Sequence, residues 1–376
     1  MTDLPRKVLS PAEFIRNQLD VRGMTQLDLA FVLGTSQQSV NQLALGKRGV
    51  SADMAKALGE VFETPAEEIL GMQKAAEIEA ELGRAKPIDP AIARKARLAH
   101  TYPLREMIRR GWLSNDPATI EAQLADFFGL ASADEIPRLD HAAKKTTYGE
   151  TPPAQLAWLF RVRQIARRVV VPDYSEHRLR ALLPELRKLM ITPDAASKAP
   201  QMLSDCGVRV VLVENLPGGK IDGACFWLDP ESPVIGLSMR FDRIDNFWFV
   251  LAHEAEHVLN RHGAATATID VGLASESADE KTDASEEERI ANAAASDFLV
   301  PTAKMDSWIA RKTPFFSEND LLGFAKLQKV HPGIVAGQLR HRIRDYRLFR
   351  DMLVKIRHVL ILTAVIDGWG ERYPTK

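Results

Sequence analysis

His253 and His257 stand four residues apart in the run Phe247-Trp-Phe-Val-Leu-Ala-His253-Glu254-Ala-Glu-His257-Val-Leu-Asn-Arg-His262-Gly263. On a helix, residues four apart share one face, one turn above the other. Two imidazoles could therefore reach one ion. Glu254, beside them, is placed to take a proton from a water held by that ion. Zinc suits the arrangement because it leaves a coordination position open and lowers the pKa of the water there to about 7. The plainer alternative is an amphipathic helix with two His on its polar side. Phe247, Trp248, Phe249, Val250, Leu251, Val258 and Leu259 argue against it, since they make the helix apolar on most sides. Buried polar groups need partners, and a metal supplies one.

Two His and a base leave room for a third ligand. His262 is near but falls on another helix face or past the helix end at Gly263. Glu288 is the better candidate, in Ser285-Glu-Glu-Glu288-Arg-Ile-Ala291-Asn292-Ala-Ala-Ala295-Ser-Asp-Phe298-Leu299-Val-Pro301. Small or apolar residues recur at 291, 295, 298 and 299, the helical spacing, and Glu288 lies on that stripe. Ser285 and Glu288 also fit a capping box, in which Glu288 would serve only the helix N-terminus. Spacing alone leaves both roles open.

The segment from about 205 to 345 resembles the ImmA/IrrE group of zinc metallopeptidases, on the strength of His253-Glu254-x-x-His257 and of Glu288-x-x-Ala291-Asn292 running to Phe298-Leu299-Val300-Pro301. The resemblance implies Zn2+ held by His253, His257 and Glu288, with Glu254 as general base and a protein as substrate. Three positions depart from the family pattern: Glu256 replaces a small residue, Arg261 stands where a His is frequent (the His is shifted to 262), and Ala294 replaces Phe. None is among the four core positions.

Elements that would position the site precede it. Val208–Glu214, Ile221–Leu228 and Val234–Ser238 read as strands, with a turn signal at Leu216-Pro-Gly-Gly, so a small antiparallel sheet is expected to feed the metal helix. An edge of such a sheet can hold an extended peptide by main-chain hydrogen bonds. Residues 263–287, rich in Ala, Thr, Ser, Asp and Glu, read as a loop. Near the end, His331 and His341 are expected to have surface or packing roles.

The N-terminal end has a different pattern. A helix over 11–23 ends at Gly23. A second starts at Thr25 and stops at Gly34, and a third runs from Ser36 to Gly46, followed by Lys47-Arg48. A fourth begins at Ser51, and Thr64-Pro65-Ala-Glu67 predicts a capping box with Pro at the first position of a fifth. Two short helices joined by Gly-Thr-Ser form a helix-turn-helix pattern. The third helix offers Gln37, Gln38, Ser39, Asn41 and Gln42; Gln and Asn can read adenine edges. Residues 1–72 carry 7 Lys+Arg against 9 Asp+Glu, a net of −2, so a nonspecific phosphate binder is not indicated. The pattern Gly23-Met-Thr-Gln26-x-x-Leu-Ala-x-x-Leu-Gly34, then Gly46-Lys47-Arg48, resembles the lambda-repressor-like (XRE) family, and Ile69-Leu-Gly-Met-Gln73 looks most like its HigA antitoxin branch. That resemblance implies operator DNA binding, usually as a homodimer, with Gln37, Gln38, Ser39, Asn41 and Gln42 toward bases and Gln26, Lys47 and Arg48 toward phosphates.

At 376 residues and 45% hydrophobic, the chain should fold as two or three domains. The expectation is a helix-turn-helix domain over 1–80, a helical middle region over 81–200 and a metallopeptidase domain over 201–376: mainly α, with a lambda-repressor-like N-terminal domain and an α+β zincin-like C-terminal one. No stretch is long enough to span a membrane and no signal peptide is evident; two cysteines, Cys206 and Cys225, are too few for a disulfide framework. Cytoplasm is the expected compartment. Residues 84–200 carry 20 Lys+Arg against 13 Asp+Glu, clustered at Arg109-Arg110 and at Arg161, Arg163, Arg167 and Arg168; solvated helix faces account for such clusters more simply than DNA or a partner. The two resemblances together imply a DNA-binding regulator fused to a zinc peptidase, with a repressor or antitoxin protein as the expected substrate in a stress or phage response. The competing description is a HigA-like autorepressor, with a toxin as partner, whose metal fold is structural or sensory.

Overall fold

The computed structural model describes residues 9–132, 135, 152–264, 268–271 and 285–373. They divide into two compact units, Met1–Asp89 and Pro90–Lys376.

In the first unit, five helices follow the start and stop signals of the sequence: α1 (Pro11–Arg22), α2 (Gln26–Val32), α3 (Gln37–Ala44), α4 (Ala52–Phe62) and α5 (Ala66–Arg84). Ser10, Thr25, Ser36 and Ser51 each accept a hydrogen bond from the backbone N–H three residues on, satisfying an orphan donor of the first turn. The fifth start differs from expectation. Pro65 is itself the N-cap, and the Thr64 hydroxyl donates back to the Phe62 carbonyl at 3.2 Å instead of capping α5. Ile15, Leu29, Val40, Leu58, Phe62 and Ile69 form the buried centre. Beyond Ile69, α5 has no buried residue and runs past residue 80, the expected domain end.

The second unit is built on a five-stranded sheet: β1 (Arg209–Val213), β2 (Ile221–Trp227), β3 (Pro233–Leu237), β4 (Thr268–Val271) and β5 (Val365–Asp367), in the order β4-β2-β3-β1-β5. The expected antiparallel sheet is in fact mixed: β1 runs parallel to β3 and to β5, while β2 is antiparallel to β3 and β4. The turn at Leu216–Gly219 forms, with Gly219 N–H donating to the Leu216 carbonyl at 2.9 Å, but it closes no hairpin. β3, all five of whose residues are buried, takes the centre between β2 and β1, so β2 passes to its far side.

Each sheet face has its own apolar layer. Phe247, Trp248 and Leu251 of the helix Ile244–Leu259 (the His helix) pack with Leu212 and Ile235. The opposite face, with Val211, Val213 and Val234, is covered by the helix Pro153–Ala166, whose Trp158, Leu159 and Val162 are fully buried. Residues from 90 to 200 therefore share one compact unit with the strands. Their basic clusters are partly structural. The Arg161 guanidinium is buried, pairs with Asp367 and donates to the Tyr373 carbonyl at 3.1 Å. Arg110 donates to the carbonyls of Glu214 and Asn215 at 2.5 and 2.7 Å. These cations are expensive to desolvate, and acceptors meet Arg161 at all three guanidinium nitrogens and Arg110 at its two terminal ones. Among the described residues, no helix is long and apolar enough to cross a membrane.

Candidate metal centre and nucleic-acid interface

The His helix is apolar around most of its circumference because the sheet lies on one side and other helices pack on the rest, among them Glu286–Leu299 (the Glu288 helix). His253, Glu254 and His257 are all fully buried within it. The two imidazoles point the same way, with Nε2 to Nε2 at 2.9 Å. Ser285 caps the Glu288 helix by accepting from the Glu288 N–H at 3.2 Å. The Glu288 carboxylate does not return to that cap but reaches across, 3.3 Å from His253 Nε2 and 3.3 Å from His257 Nε2.

A fourth donor joins them. Asp270, on β4, lies 3.4 Å from His253 Nε2 and 4.0 Å from His257 Nε2. One ligand atom from each of His253, His257, Asp270 and Glu288 falls within 4.8 Å of the others. A tetrahedral zinc ion with donors at 2.0–2.1 Å has donor–donor edges of about 3.3 Å. The distances around this cluster centre on that value, so the residues fit such an ion. Asp270 Oδ2 is also buried with no hydrogen-bond partner among the described residues, which an ion would supply.

The expected loop over 263–287 is thus interrupted by a strand that carries a site residue; 265–267 and 272–284 within that stretch lie outside the described residues. Sequence reading missed Asp270 because four residues are too few to show strand periodicity in a polar stretch. It also missed Gly223 on β2, where a Cβ would stand 2.1 Å from Glu254 Oε1. A glycine inside a strand signals close approach, and here the close neighbour is the candidate base.

Electrostatics at the cluster follow from burial and crowding. Burial alone would lower the His253 imidazole, but the Asp270 and Glu288 carboxylates beside it prevail and raise it to about 9. Burial would raise Glu288, yet the two imidazoles facing it hold it well below the usual carboxylate range. Glu254 is pushed well above that range, first by burial and then by the Asp270, Glu288 and Asp222 carboxylates.

The neighbouring departures turn away from the cluster. Glu256 accepts from Asn260 Nδ2 at 2.8 Å, and Arg261 lies over the Trp227 ring and bonds the Pro230 carbonyl. His262 is not among the converging donors; its Nδ1 sits 2.9 Å from His257 Nδ1, on the far side of that ring. His331 caps the helix Pro332–Ile343, Nδ1 accepting from the Gly333 N–H at 3.0 Å, a structural role as expected.

On α3, Gln37, Gln38, Asn41 and Gln42 are exposed, and Lys47 and Arg48 follow at its end, also exposed. Ser39 is half-buried and its hydroxyl accepts from Arg48 Nη1 at 3.1 Å, so these two hold each other. Gln26 is half-buried at the start of α2.

Residues 15–69 match the family model described as helix-turn-helix, and residues 206–313 match that of the IrrE N-terminal-like domain. The chain fuses an XRE-type helix-turn-helix domain to an ImmA/IrrE-type metallopeptidase-family domain. Two similar solved structures are a hypothetical protein from E. coli (26% identity, 23% of this chain and all of that one, TM-score 0.19) and the Pseudomonas aeruginosa antitoxin HigA with the higBA promoter (28% identity, 22% of this chain and all of that one, TM-score 0.18). Among curated proteins, none matches the sequence. The helix-turn-helix match spans α2 and α3, and the IrrE-type match spans β1 to β4, the His helix and the Glu288 helix. The fusion therefore has a DNA-binding domain and a peptidase-like domain in one chain.

Proposed function

We propose that this fusion is an operator-binding transcriptional regulator, acting as a homodimer in the cytoplasm, whose second unit is a zinc-dependent endopeptidase that cleaves a repressor or antitoxin protein. The observation that carries the enzymatic part is the convergence of His253, His257 and Glu288 on one point, with Glu254 one residue from His253. These three residues would hold the ion and Glu254 would be the general base. When bound, zinc lowers the pKa of a coordinated water to about 7 and polarises the scissile carbonyl. The Glu254 carboxylate takes the proton from the attacking water and delivers it to the leaving amine. Gly223 on β2, lacking a Cβ, leaves the room that the Glu254 carboxylate occupies. On the DNA side, Gln37, Gln38, Asn41 and Gln42 would meet base edges while Lys47, Arg48 and Gln26 meet phosphates; Ser39 would act through Arg48.

Substituting Glu254→Gln removes the base and keeps the shape. Zinc content by elemental analysis should stay at about one per chain, while cleavage of a co-expressed substrate repressor falls by about 10²–10⁴-fold. Undiminished cleavage would remove Glu254 from this role.

A specific observation favours a second reading. Four protein donors, counting Asp270, make a closed site of the kind found in structural zinc centres. In that reading the chain is a HigA-like autorepressor with a toxin partner, and its metal fold performs no turnover.

A further inference from the structure

We propose that β4 is an internal pseudosubstrate, which occupies the substrate edge of the sheet and closes the metal site with the Asp270 carboxylate. The inference rests on the metal-site reading above and explains why a catalytic residue set comes with a fourth donor.

Two independent features of β4 converge. The first is its place in the sheet. β4 is an edge strand, antiparallel to β2, with Thr268, Ile269, Asp270 and Val271 opposite Cys225, Ala224, Gly223 and Ile221. Adding an extended antiparallel strand to a free edge is how sheets commonly hold peptides. Here the chain's own residues already do so, at the strand that borders Glu254. The second feature is the side chain it delivers. Asp270 pairs with Gly223, the residue whose missing Cβ makes room for Glu254. From that position its buried carboxylate comes within 3.4 Å of His253 Nε2, among the other donors. A catalytic zinc site has three protein ligands and leaves the fourth position to water or substrate. Asp270 stands as the fourth donor of the set. Substrate main chain and attacking water thus compete, among the described residues, with a four-residue strand.

Such a strand can leave at modest cost. Among the described residues it pairs on one side only, its partner ladder has an irregularity between Ile221 and Gly223, and its apolar contribution is the partly buried Ile269, at the margin of the layer built on Trp158 and its neighbours. The geometry describes a latent peptidase, opened when β4 is drawn off the β2 edge. A structural zinc site would instead need Asp270 to keep the metal.

The test uses the full-length protein loaded with Co2+, whose visible absorption reports coordination, and acetohydroxamate as a probe ligand for an open position. Wild type is compared with Asp270→Asn, which keeps the size of the side chain, and Asp270→Ala. The expected result is about one cobalt per chain in all three, a changed absorption spectrum in both variants, and hydroxamate binding tightened by about tenfold or more. A tenfold gain corresponds to a wild-type site that is open about one-tenth of the time. Wild type that binds hydroxamate as tightly as the variants overturns the proposal. Loss of cobalt from both variants overturns it as well, in favour of a structural fourth ligand. Wild type that takes up no cobalt overturns the metal-site reading itself, and this inference with it.

Discussion

At the scale of residues, the site depends on where protons and positive charge reside. His253 is raised from 6.5 to about 9 because the two carboxylates beside it outweigh its burial. The sign of the pH effect follows from linkage. A group whose folded pKa is raised stabilises the fold fully below its unfolded value, here about 6.5, and that contribution disappears as pH climbs through about 9. Glu254, also raised, acts in the same direction. A metal reverses this, since it needs deprotonated ligands and its uptake expels their protons. We therefore expect the chelator-treated protein to lose thermal stability between pH 6.5 and 9, and the stabilisation by added zinc to grow over the same interval. Melting curves with and without zinc would decide it; a zinc-free Tm that rises across the window contradicts the carboxylate–imidazole cluster. Glu288→Ala should abolish stoichiometric zinc, whereas His262→Ala, which touches only the far nitrogen of His257, should weaken affinity by about 10–100-fold and leave the stoichiometry at saturation.

At the scale of elements, a recognition helix makes two kinds of contact with different signatures. Asn41→Ala or Gln38→Ala should cost about 1–3 kcal/mol on the cognate operator and relax preference at one base position. Lys47→Ala should weaken binding on all sequences alike and reduce the salt slope by about one. Binding isotherms at several salt concentrations on operator and random DNA separate the two, and equal behaviour of the two variants would remove α3 from the major groove. The same elements show what a sequence discloses. The helix starts at Thr25, Ser36 and Ser51, and the His and Glu288 helices, were legible because capping and helical periodicity are local. The sheet order was not, because β1, β2 and β3 are nearly equally apolar and buried, and nothing within them says which strand takes the centre. Asp270 was invisible for a related reason. Its role comes from pairing across about fifty residues with Gly223, and an Asp in a polar run carries no local mark of it. Arg161 and Arg110 looked like solvated charge until the acceptors supplied by Asp367, Tyr373, Glu214 and Asn215 came into contact with them.

At the scale of the whole molecule, the two compact units have separate cores, and each should fold without the other. The boundary that matters then lies near residue 89, not at 200. The strands place Val211, Val213 and Val234 on a face that, among the described residues, helices between 90 and 166 cover, with Trp158 donating to the Val213 carbonyl at 2.8 Å. A fragment that starts at 201 would expose that face and leave Asp367 without Arg161 and Trp112. Truncation of a buried aromatic alone costs about 3–5 kcal/mol, a large part of a typical stability of about 5–15 kcal/mol, and removal of the whole helix costs more. We expect residues 90–376 to be soluble, to melt cooperatively and to bind about one zinc per chain. Residues 201–376 should aggregate or remain unfolded, and residues 1–89 should retain operator binding without zinc. Circular dichroism, metal analysis and operator titration on the three fragments test this. A cooperatively folded, zinc-binding 201–376 would show that the middle helices are an appended layer, and the site could then be inherited without them.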